Sequence, residues 1–208
     1  RSETLQGAAA NDEIARKRFL EMMSNEADRM ARLIGDLLSL SKLQASERVA
    51  PIDRIDLFKI LTSVSSSLSG LATRNNIELN LNLSHSMPLV IGDSDELTQV
   101  FQNLIENAIK YSGTGSTVTV SFKPPKEGKS HLFISVEDSG EGIGPAQIPR
   151  LTERFYRVDK GRSRAQGGTG LGLAIVKHIL IRHRGWLKIS SQLGKGSIFA
   201  VYLPISKT

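Results

Sequence analysis

Asn103, Asn107 and Lys110 stand four and three residues apart in the run Asp93–Tyr111, where Leu97, Val100, Phe101, Leu104, Ile105 and Ala108 recur at helical spacing. On a helix these three polar groups share nearly one face. Two carboxamides and an ammonium in line on an otherwise apolar helix need a polar partner. A hydrated magnesium ion with phosphates fits, because Mg2+ keeps several waters and takes oxygen ligands, amide oxygens included. Turn-capping is the bland alternative for a single asparagine; the pair with Lys110 favours the ion. Glu106 lies between them and is read as facing another direction.

The second chemical signal is the stretch Val136–Gly172. Asp138 ends an apolar strand, and a carboxylate accepts a hydrogen bond from an exocyclic amine such as adenine N6. Alone it would be a turn aspartate; the following Gly140-Glu-Gly142-Ile143-Gly144 favours a ligand. A further cluster, Gly168-Thr169-Gly170-Leu171-Gly172-Leu173, opens a helix. Glycine lets backbone approach a ligand closely, and N–H groups at a helix start form an anion site. Between the clusters lies a basic span, Arg150–Arg164. Its guanidiniums suit a γ-phosphate, although most of Arg154, Arg157, Lys160, Arg162 and Arg164 read as a solvated charge run. Phe155 and Tyr156 read as the anchor of a lid. The whole is a nucleotide pocket with a cover.

Elements must position these groups. Asn11–Leu43 is helical, with Leu20, Met23, Ala27, Met30, Ile34 and Leu37 forming a heptad-spaced apolar stripe of coiled-coil or bundle type. Polar Gln44–Arg54, broken by Pro51, is a linker. Then follow a helix (Asp56–Arg74), a strand (Ile77–Leu83), a turn (Pro88–Gly92), the asparagine helix, strands Thr117–Phe122 and Leu132–Val136, the lid, a helix (Thr169–Arg184), and strands Trp186–Ser190 and Ser197–Leu203. This order predicts an α+β, two-layer sandwich: one mixed sheet with three helices on one face. It lacks the regular alternation and third glycine of a dinucleotide fold.

Composition narrows the class. With 208 residues, 39% hydrophobic, no cysteine and no apolar run long enough to span a membrane, the chain is an ordinary globular protein without disulfides. Its net charge of +6 is not interleaved with aromatics, which make up only 5%, so nucleic-acid binding is not expected. His85, His131, His178 and His183 have no metal-ligand context and read as surface or packing residues.

Five ordered motifs resemble those of sensor histidine kinases. Asn103-Leu-Ile-Glu-Asn107-Ala-Ile-Lys110-Tyr111-Ser112 is similar to their N box, and Asp138-Ser-Gly140-Glu-Gly142-Ile143 to the G1 box. Thr152-Glu-Arg-Phe155-Tyr156-Arg157 resembles the F box, Gly168-Thr-Gly170-Leu-Gly172-Leu the G2 box, and Gly194-Lys-Gly196-Ser197-Ile-Phe199 the last glycine box. The run Pro149–Arg164 is especially similar to phosphate-regulon-type sensor kinases. The end of the first helix, Arg32-Leu-Ile-Gly-Asp-Leu-Leu-Ser-Leu-Ser-Lys42, resembles the second helix of the family's dimerisation hairpin.

The resemblance implies residues 1–45 as that hairpin helix, 46–54 as linker and 55–208 as the catalytic ATP-binding domain. It implies that Asn107, with Asn103, holds Mg2+, that Lys110 and Arg157 contact phosphate, and that Tyr111 stacks near adenine while Asp138 binds its amine. Gly140, Gly142, Gly168, Gly170 and Gly172 shape pocket and lid hinges, with Lys160, Thr169, Leu171 and Ser197 beside the nucleotide. Ile143, Leu173 and Phe199 supply apolar walls. Implied partners are a response regulator and a second copy joined through the hairpin. The family's phosphoacceptor histidine falls on a first hairpin helix that this chain does not carry, so a truncated cytoplasmic piece of an inner-membrane sensor is expected. Two alternatives are a gyrase- or mismatch-repair-type ATPase and a non-catalytic nucleotide-binding scaffold. The first places a glutamate base where Asn103 stands, and an amide cannot take a proton from water.

Overall fold

The computed structural model describes residues 13–46, 49–125, 130–158 and 168–206. The heptad-striped run folds as one helix, α1 (Glu13–Ser46), with Glu13 in its positively polarised first turn. The expected caps Asn11 and Asp12 lie outside the described residues. The stripe divides. Leu20, Met23, Met30, Ile34 and Leu37 are exposed, Met30 at 59%, whereas Leu40 and Leu43 further along are 3% and 5% exposed. Those two join the core of the rest of the chain, each contributing about 1.5–3 kcal/mol by burial. Ser39 Oγ adds a hydrogen bond to Gln99 Oε1 at 3.0 Å.

Three shorter α-helices follow among the described residues. Helix α2 (Leu57–Arg74) starts where the Asp56 carboxylate accepts the Phe58 and Lys59 N–H groups, and it buries Leu57, Ile60, Leu61, Val64 and Leu68. Helix α3 (Ser94–Tyr111) is capped in the same way by Asp93, which accepts from Asp95 and Glu96. Helix α4 (Gly172–Arg182) is shorter than its sequence span. Gly170, at φ +76°, holds Thr169–Leu171 in a turn, and the far end closes through Arg184 at φ 54°.

Five strands make one mixed sheet in the order β2 (Glu78–Asn82), β4 (Thr117–Lys123), β5 (His131–Asp138), β7 (Gly196–Pro204), β6 (Trp186–Gln192). Only the β2–β4 pair is parallel. Side chains alternate across a strand, so Val118 and Val120, Leu132, Ile134 and Val136, and Phe199, Val201 and Leu203 all point into the core. Helices α2, α3 and α4 cover that face, giving the expected two-layer arrangement. Among the described residues no helix is long and apolar enough to cross a membrane.

The structure adds a small antiparallel sheet of β1 (Asp53–Ile55) and β3 (Val90–Gly92). The sequence reading took these segments as linker and turn. Three-residue strands are too short to display an alternation, and their pairing is 39 residues apart (Asp53 with Gly92). The end of the linker is therefore built onto the second unit. Arg182 Nε also donates to the Val49 carbonyl at 2.9 Å.

Candidate functional site

Helix α3 buries Leu97, Val100, Phe101, Leu104, Ile105, Ala108 and Ile109 and carries a polar stripe beside that face. Asn103, Glu106, Asn107 and Lys110 all line a single cavity of about 650 Å³ between α3, the end of β5 and the turn before α4. Glu106 does not face away as read from the sequence. It is three residues from Asn103 and four from Lys110, so a 3.6-residue repeat keeps it on the stripe. Its carboxylate accepts from Lys110 Nζ at 2.5 Å, which draws the ammonium along the helix surface. Asn103 Nδ2 is buried and has no hydrogen-bond partner among the described residues. Tyr111, Ser112, Gly113 and Thr114 continue the wall beyond the helix end.

At one end of the cavity Asp138 closes β5, half-buried, and its Oδ1 accepts the Gly140 N–H at 2.9 Å. Burial pushes its carboxyl above the usual carboxylate value, and hydrogen bonds from the Gly140 backbone and from Ser197 hold it part of the way back. Ile143, Leu173 and Phe199 give this end apolar walls, and Ser197 and Gly142 also line it. Sequence reasoning missed the serine that fixes the loop. Ser191 Oγ accepts the Ile143 N–H at 2.8 Å and donates to the Gly196 carbonyl at 2.9 Å, with Ser197 Oγ 3.0 Å away. The β6–β7 register that sets Ser191 opposite Ser197 is invisible to a local pattern.

At the other end the glycine turn meets the lid base. Arg157 Nη1 donates to the Gly168 carbonyl at 2.7 Å, leaving Nη2 buried and without a partner among the described residues. The Phe155 N–H donates to the Gly170 carbonyl at 2.9 Å. Phe155, which reads with Tyr156 as the anchor of the lid, is 55% exposed. Its backbone, at φ 61°, makes the attachment. Tyr156 lines the cavity, with the Arg150 guanidinium 4.2 Å over its ring.

Gly168, Thr169, Gly170, Gly172 and Arg157 all line the cavity, as the motifs imply. Two of the expected residues do not. Leu171 is fully buried in the core, and Gly140 lies beneath the wall, where an added Cβ would come 2.3 Å from the Tyr111 carbonyl. Lys160 lies outside the described residues, as do Arg162 and Arg164. The long helix contributes what sequence reasoning did not foresee. Arg32 and Asp36 line the cavity, and Thr169 Oγ donates to Asp36 Oδ2 at 2.6 Å. Burial raises the Asp36 carboxyl above its ordinary value, and the charge of Glu106 adds to the rise.

The two ends differ in chemistry. One offers a carboxylate acceptor between apolar walls, suited to a flat ring bearing an amine. The other offers Lys110, Arg157, two orphan N–H donors and the N-terminus of α4, suited to a polyanion. His183 stands apart from the cavity. It is 2% exposed, and its Nε2 accepts the Asp93 N–H at 3.0 Å. It is the packing histidine expected, pinning the end of α4 to the start of α3.

Residues 92–207 match the family of histidine kinase-, DNA gyrase B- and HSP90-like ATPases. The chain is 41% identical over 197 residues to the sensor-like histidine kinase SenX3 of Mycolicibacterium smegmatis, covering 95% of this chain and 50% of that protein. It is 42% identical over 185 residues to the phosphate regulon sensor protein PhoR of Pseudomonas aeruginosa, covering 89% and 41%. The chain thus spans about half the length of these curated relatives or less. Among solved structures, full-length ShkA in complex with AMPPNP superposes with a TM-score of 0.77 at 24% identity, covering 92% of this chain and 39% of ShkA. That likeness concerns the fold.

Proposed function

Because this chain belongs to the histidine kinase-, DNA gyrase B- and HSP90-like ATPases, as the catalytic domain of a PhoR-like sensor histidine kinase, we propose that its cavity binds Mg-ATP and presents the γ-phosphoryl group to a histidine on another helix. The observation that carries this is the meeting, in one cavity, of the α3 stripe, Asp138 and the glycine turn before α4. Asp138 accepts the adenine amine. Ile143, Leu173 and Phe199 flank the ring, and Tyr111 covers its edge. Lys110, Arg157 and the Gly168–Gly172 backbone face the phosphates. The orphaned donors on Asn103 and Arg157 fit phosphate oxygens. The amide oxygens of Asn103 and Asn107 are ligand chemistry that Mg2+ accepts. When bound, the ion neutralises charge on the transferring phosphoryl group.

The protein's own part in such a transfer is positioning and charge neutralisation, which needs no nucleophile in this domain. The phosphoryl group then passes to an aspartate of a response regulator, and the full protein dimerises through the hairpin to which α1 belongs. It sits as the cytoplasmic part of an inner-membrane sensor. Mixing the chain with a histidine-bearing hairpin and labelled ATP tests this reading. Label on the hairpin histidine is expected. ATP binding without transfer refutes the kinase reading, and release of free phosphate in its place points to a hydrolase. Asn107→Ala is expected to abolish the magnesium-dependent part of ATP binding, read by titration with and without the ion.

A further inference from the structure

Asp36, like Arg32, enters the cavity from α1, whereas the rest of the wall comes from the sheet and the helices packed on it. Its carboxylate accepts the Thr169 hydroxyl at 2.6 Å, and that same oxygen accepts the Leu171 N–H at 3.2 Å. Thr169 stands three residues ahead of α4, an 11-residue helix whose Gly172 and Leu173 line the cavity. The N-terminus of such a helix carries the equivalent of about half a positive charge and favours an anion. The anion that the structure delivers there is Asp36. Two donors that point to a missing anion border the same space. One is Asn103 Nδ2, 3.9 Å from where a Gly172 Cβ would be, and the other is Arg157 Nη2.

We infer that Asp36 is a tethered competitor for the phosphate chain. Docking of α1 seats its carboxylate at the end of the cavity that the outer phosphates need, so helix docking and polyphosphate binding oppose each other. This rests on the nucleotide reading of the cavity. The seat already holds a second negative group, since the charge of Glu106 acts on Asp36. Arg32, one turn earlier, offsets part of this, but its Nε is turned back to the Asp28 carbonyl at 3.2 Å. Docking is held by separable contacts, the burial of Leu40 and Leu43 and the Ser39–Gln99 bond. The helix can therefore stay attached while the carboxylate alone is changed. Coupling of this kind is reciprocal: what loosens Asp36 favours ATP, and ATP loosens α1.

The experiment is calorimetric titration of the whole 208-residue chain with ATP and, separately, adenosine, both with Mg2+, for wild type, Asp36→Asn and Asp36→Ala. Asparagine keeps an acceptor for Thr169 and removes the charge. Both variants are expected to bind ATP about 5-fold tighter or more and adenosine unchanged, since adenosine does not reach the seat. ATP should also raise deuterium uptake around residues 33–43 in the wild type. ATP affinity that is unchanged or weaker in both variants overturns the competition while leaving the nucleotide reading intact. Failure of every chain to bind either compound overturns both.

Discussion

Replacing Gly142 by alanine isolates the loop that closes the base end of the cavity. Gly142 sits at φ +71°, and an added Cβ would fall 2.1 Å from the Gln192 carbonyl oxygen and 2.6 Å from its carbon. Backbone cannot yield as a side-chain tip does, so the loop must leave the β6–β7 turn. Alanine in the left-handed region costs about 1–2 kcal/mol. Lifting the loop also breaks the bond from Gly194 N to the Glu141 carbonyl at 2.8 Å, worth about 0.5–1.5 kcal/mol. The strain falls on a surface loop, not on the core, so the fold survives and the binding-competent loop becomes rare. A cost of about 2–3 kcal/mol lowers adenosine affinity about 30- to 150-fold. Titration with adenosine reads the loss, and far-UV circular dichroism with a urea midpoint confirms that the fold persists. Wild-type adenosine affinity in Gly142→Ala would refute the reasoning. So would an equal loss of global stability, which would make the glycine structural and not part of the site.

His183 gives a pH signature. Burial lowers its pKa below 6.5, against the opposing effects of the Ile179 carbonyl and Glu96. The unfolded chain thus binds a proton that the native chain resists. Stability is fully present above about pH 6.5 and falls as the pH drops toward the lowered native value. Urea midpoints should decline from pH 7 to 5.5 in the wild type and much less in His183→Gln; parallel slopes would contradict the assignment. Leu40→Ala with Leu43→Ala should release the end of α1 while the second unit keeps its own melting transition, seen as faster amide exchange at residues 36–43. Unchanged exchange there would mean that the two leucines do not hold the helix. The exposed stripe predicts concentration-dependent self-association that Met30→Glu with Ile34→Glu abolishes in sedimentation. A wild-type chain that stays monomeric up to high concentration would count against the heptad interpretation.

Local rules were enough for much of this molecule. Aspartate before an apolar 3.6-residue repeat marks a helix start, and Asp56 and Asp93 cap α2 and α3. Alternation of Val118 and Val120, and of Leu132, Ile134 and Val136, identifies strands with one buried face. The site motifs were legible for the same reason: Asn103, Asn107 and Lys110 are fixed relative to each other by one helix, and glycines before a helix need no distant partner to form an anion cradle. What tertiary structure alone decided lies between segments far apart in the chain. The strand pair of Asp53–Ile55 with Val90–Gly92 is too short to signal itself. Ser191 gained its role from a register across β6 and β7. Leu171 left the site because the turn rotated it into the core. Asp36 reached the site because α1 docks two leucines while Leu20, Met23, Met30, Ile34 and Leu37 stay exposed. A single helix repeats its heptad without stating which turn meets which surface, and packing supplies that choice.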